Sequence, residues 1–90
     1  MINLKHLKIY VDFKGDIDMW TRLGAKKRNL IMNDEIWIQI RNLNQNLILI
    51  HNGLASESFK ETIMKNLKDN CENNEVIEKL IELSAKRLLD

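Results

Sequence analysis

Ninety residues, 44% of them hydrophobic and 30% charged, describe one small globular domain. A net charge of +1 gives no general attraction to nucleic acid or to a membrane surface, and no apolar run reaches the roughly 18 residues that a membrane span needs. Cys71 is the only cysteine, so the chain forms no internal disulfide, which fits a reducing compartment.

The first ten residues, MINLKHLKIY, interleave lysines with apolar side chains and lack the separate basic and apolar regions of a signal peptide. A cytoplasmic location is therefore expected. Leu4, Leu7 and Val11 have helical spacing, while Ile9, Val11 and Phe13 have strand spacing. The reading preferred is a short helix from about Asn3 to Phe13, turned at Gly15. Asp16 then caps a second short helix, Ile17 to Leu23, which stops at Gly24. The AKKRN segment that follows reads as an exposed link.

The middle of the chain, EIWIQIRNLNQNLILIHNGLAS, carries two patterns. Ile36, Ile40, Leu43, Leu47, Ile50 and Leu54 step by four and three in alternation, the stripe of an amphipathic helix. Asn33 is placed to cap its start, with Asp34 and Glu35 in the first turn. Gly53 is placed to end it in a left-handed turn, bringing Leu54 back to Leu49. The competing pattern is a hairpin over about residues 36–50, because IWIQI alternates. However, LILI does not alternate and NLNQN lacks the Asn-Gly or Asp-Gly pair of a tight hairpin. The stripe with both caps outweighs it.

Ser58 and Glu61 match a capping box ahead of a helix from about Glu57 to Asn70, with Phe59, Ile63 (and Met64 beside it) and Leu67 inward. NCENNE breaks the chain. Asn73 or Asn74 then caps a last helix to about Leu89, whose apolar face is Val76, Ile77, Leu80, Ile81, Ser84 and Leu88. Glu75–Lys79 and Glu82–Lys86 have the spacing of helical ion pairs. The fold expected is all-α, a compact single-domain bundle of four to five helices over residues 1–90. The alternative is α+β, with the hairpin and two C-terminal helices.

Chemical motifs are sparse. No glycine-rich phosphate loop, nucleophile elbow or zinc-ligand spacing occurs, and His6, His51 and Cys71 lie far apart. No enzymatic activity, metal or cofactor is expected. The segment DFKGDIDMWTRLG concentrates acids with a tryptophan and an arginine, residue types that often anchor interfaces. Its spacing fails as a calcium loop. Trp37 adjoins the helical stripe and belongs in the core, which makes Trp20 the tryptophan expected on the surface.

The leading expectation is a small protein-binding module whose contacts are Asp12, Asp16, Asp18, Trp20 and Arg22. Its sharpest version is an immunity or inhibitor protein that neutralises a toxin or enzyme by covering its surface. Bacterial immunity proteins share this size and helical class, a likeness that assigns no residue a role. The alternative is a nucleic-acid-binding transcriptional regulator using Lys26, Lys27, Arg28 and Arg41 on phosphates. A third reading is a homodimer whose apolar helix faces complete a shared core.

Overall fold

The computed structural model describes residues 1–86, and they form six helices: α1 (Leu4–Asp12), α2 (Ile17–Thr21), α3 (Ala25–Ile31), α4 (Asp34–His51), α5 (Glu57–Asn70) and α6 (Asn74–Ala85). The architecture is an all-α bundle. The hairpin alternative is excluded, because residues 36–50 lie within α4. Leu88, expected on the apolar face of the last helix, and Leu89, its expected end, lie outside the described residues.

The long helix α4 is the axis of the core. It buries Trp37, Ile40, Leu43, Asn44 and Leu47, and α1, α5 and α6 pack around it. Leu7 and Tyr10 of α1, Ile63 and Leu67 of α5, and Val76 and Leu80 of α6 complete the same apolar cluster. The smallest dimension of the molecule, 18 Å, is that of two helix layers.

Local chemistry sets most helix ends. Asn33 begins α4 by accepting a bond from the Glu35 amide at 2.7 Å. At its other end Gly53 adopts φ +72, its amide bonds the Ile50 carbonyl, and the Leu54 amide bonds the Leu49 carbonyl. These are the paired bonds of a Schellman ending. The same device closes α1, with Lys14 and Gly15 both left-handed and their amides on Val11 and Tyr10. Asp16 caps α2 and Asn73 caps α6 through their side-chain oxygens.

Several expectations are corrected. AKKRN is no link: it forms most of α3, and with it the bundle has six helices instead of four or five. The cap of α5 is Ser56, whose hydroxyl accepts from the Phe59 amide, and Ser58 bonds Ser56 instead of forming a capping box. Ser56 lies one residue before the first helical position, where the backbone is extended and a side-chain oxygen can turn back. On α6, Lys79 turns to Glu82 at 3.9 Å, in place of the expected Glu75–Lys79 and Glu82–Lys86 pairs.

The N-terminus adds one non-helical tie. Ile2 is fully buried and forms a parallel bridge with Cys71, donating to the Asn70 carbonyl and accepting from the Glu72 amide. This clamps the chain start to the α5–α6 junction.

Candidate functional site

The most organised cluster joins α1, α2, α3 and α4. Trp20 and Trp37 stack nearly parallel, 4.6 Å between centroids at 5°. Phe13 meets both edge-on, at 5.1 Å from Trp20 and 5.9 Å from Trp37, and Tyr10 tilts against Trp37 at 4.8 Å. These are geometries the aromatic quadrupole favours. Trp20 is only 1% exposed, which overturns its expected surface position. The short helix α2 has little else to bury, and Trp20 is the residue it places in the core.

Asp34, at the start of α4, links this stack to α3. Its Oδ1 accepts from the Trp20 indole at 3.0 Å and from Arg28 Nε at 3.0 Å. Its Oδ2 accepts from Arg28 Nη2 at 3.2 Å, and Arg28 Nη1 reaches back to the Thr21 carbonyl at 2.9 Å. The pair is therefore bidentate, the geometry that suits a guanidinium and a carboxylate. The Arg28 hydrogen bonds foremost, then that of the Trp20 indole, hold the Asp34 carboxyl below its ordinary pKa against an opposing push from desolvation. With this brace, α3 is held against the bundle although none of its own residues is buried, its C-cap Met32 lying in the core just beyond its end.

The bracing leaves the outer side of α3 bare. Leu30 is 86% exposed, and Lys26 and Lys27 sit four and three residues before it, so the three share a face away from Arg28. Of the residues expected to meet a partner, Asp12, Asp18 and Arg22 are exposed. Asp16 is exposed as well, but its carboxylate is already engaged by the amides of Asp18 and Met19. Trp20 lies beneath this surface and positions it. The four residues expected to meet nucleic acid are not alike. Lys26 and Lys27 are exposed, Arg41 is half-buried on α4, and Arg28 is committed to Asp34. Leu30 and Ile31 were missed by the reading of residues 25–29 as a link. Their only sequence signal is a run of three apolar residues, Leu30 to Met32, after the basic stretch.

Two reactive side chains elsewhere have structural surroundings. His51 Nε2 lies 3.0 Å from Ser84 Oγ, but that hydroxyl is fully buried and donates to the Ile81 carbonyl at 2.7 Å. Ser84 thus accepts from His51 and joins the ends of α4 and α6 as a structural bond. Burial pushes the Cys71 thiol pKa up, away from the thiolate a nucleophile needs. No cluster of histidine, cysteine or carboxylate side chains suited to a metal ion occurs among the described residues. Two buried polar atoms, Trp37 Nε1 and Asn44 Oδ1, have no hydrogen-bond partner among those residues, a local cost of about 1–3 kcal/mol each.

No helix of the described residues is long and apolar enough to cross a membrane. Comparison with family models, with curated proteins and with solved structures finds no match for the chain.

Proposed function

We propose that the chain is a protein-binding module that acts by covering a partner's surface, in the manner of an immunity protein or inhibitor, and that it does so through α2 and α3. One observation carries this reading. A seven-residue helix too short to persist alone in water is held in place by an ion pair and an aromatic stack, yet presents Leu30 outward. A helix fixed before binding loses little conformational freedom on association, which favours affinity. Leu30 supplies the apolar centre, with Lys26 and Lys27 beside it and Arg22 at the end of the preceding helix. This chemistry fits an acidic protein surface with an apolar pocket.

The test is affinity capture from native lysate followed by a binding isotherm with the captured protein. Leu30→Glu and Lys27→Glu alter exposed positions, so each leaves stability within about 0.5 kcal/mol of the original. Both weaken the complex more than tenfold if α3 is the contact. A partner held equally well by both variants would show that α3 is not the surface.

The nucleic-acid alternative rests on Lys26, Lys27 and Arg41, since Arg28 is already paired. It requires retention on heparin and affinity that falls steeply with salt, so a flat salt response removes it. The homodimer alternative requires concentration-dependent sedimentation.

A further inference from the structure

We infer that the groove between α1 and α6 is a second docking site, separate from α3, and that it takes an amphipathic helix of a partner protein with acidic residues beside its apolar stripe. The groove has a volume of about 390 Å³ and lies half open to solvent. Its α1 wall is Leu4, Leu7, Lys8 and Val11, and its α6 wall includes Leu83. Leu4 and Val11 remain exposed, Val11 at 49%, although both belong to the apolar side of α1. Both line the groove and leave part of its apolar wall in contact with solvent.

The length of the walls accommodates a short helical segment as occupant. Leu4, Leu7 and Val11 follow i, i+3, i+7, and Lys79, Glu82, Leu83 and Lys86 follow i, i+3, i+4, i+7. Each wall thus runs about 10 Å, two helical turns. A helix lying in such a trough inserts anchors at the same intervals.

The charges at the rim select its flanks. Among the described residues lining the groove, Lys8, Lys79 and Lys86 stand against Glu82 alone, and Lys79 already faces Glu82 at 3.9 Å. Lys8 and Lys86 form no ion pair among the described residues. An incoming stripe flanked by glutamate or aspartate meets both, whereas one flanked by lysine is repelled.

The probe is a stapled, fluorescein-labelled helical peptide with leucines at i, i+3 and i+7 and glutamates on either side, compared with the same peptide carrying lysines in place of the glutamates. Anisotropy with the full chain is expected to show the glutamate peptide binding at least tenfold tighter. Val11→Glu and the double variant Lys8→Glu/Lys86→Glu each weaken it at least tenfold, while Leu30→Glu leaves it unchanged. The last result separates this site from the α3 surface, so either proposal can fail alone. The inference is overturned if the two peptides bind equally or neither binds. It is also overturned if the chain sediments as a dimer that Val11→Glu dissolves, since a second copy would then fill the groove.

Discussion

Replacing Trp20 with alanine tests the central structural claim, that α2 is held by one buried ring. The side chain is 1% exposed, stacks on Trp37 at 4.6 Å and meets Phe13 at 5.1 Å. Truncating a buried aromatic of this size costs about 3–5 kcal/mol through lost transfer energy and the cavity left behind. Total stability for a chain of this length is roughly 5–13 kcal/mol. The substitution therefore removes a large share of it and releases the Asp34 carboxylate from one of its donors. Urea unfolding followed by far-ultraviolet circular dichroism measures the loss. With a slope of about 1–3 kcal/mol per molar, the midpoint falls by at least ~1 M. Trp20→Phe keeps most of the ring and is expected to lose less than half as much. An exposed tryptophan would change stability by no more than about 0.5 kcal/mol. A Trp20→Ala loss below ~1 kcal/mol would refute the stacked, buried geometry.

Three further outcomes follow from single residues. His6 accepts the Asn3 amide at Nδ1, and burial foremost, with the N-terminal ammonium and Lys5, lowers its pKa below 6.5. Between that lowered value and 6.5 the unfolded chain binds a proton that the native chain refuses, so stability is complete above 6.5 and falls as pH drops through this window. Urea midpoints taken across the window for the original chain and for His6→Gln should show the slope reduced in the variant. Gly15 and Gly53 both adopt positive φ, but a Cβ at Gly15 would sit 2.9 Å from the Tyr10 hydroxyl whereas at Gly53 it meets open space. Gly53→Ala is expected to cost about 1–2 kcal/mol from backbone strain alone, and Gly15→Ala at least ~1 kcal/mol more, because the buried Tyr10 ring must shift. Equal losses in thermal unfolding would contradict that crowding. Cys71 should react with a thiol reagent only as the chain opens, its rate rising with urea in step with unfolding. Rapid labelling of the native protein would mean that the Ile2 bridge does not cover it.

The amino-acid sequence alone determined the parts of this protein whose causes lie within a few residues. The stripe of α4, its Asn33 cap and its Gly53 ending are local, as are the Asp16 and Asn73 caps, and each is legible because period and capping act over one or two turns. The absence of a tight-turn pair in NLNQN was equally decisive against a hairpin. The exposed members of the expected contact segment, Asp12, Asp16, Asp18 and Arg22, were legible as polar surface. Trp20 was not, because its burial depends on Trp37, which arrives from another helix. The helix α3 was hidden for the same reason. It buries no residue and so carries no apolar period, and it starts at Gly24 without a side-chain cap. What holds it is the Arg28–Asp34 pair and the stack beneath. The Ile2–Cys71 bridge and the α1–α6 groove also belong to tertiary structure alone, since each joins segments whose separation along the chain leaves no periodic trace. Pattern reports what a segment does with its own neighbours, while the surfaces left for a partner are decided by which segments cover one another.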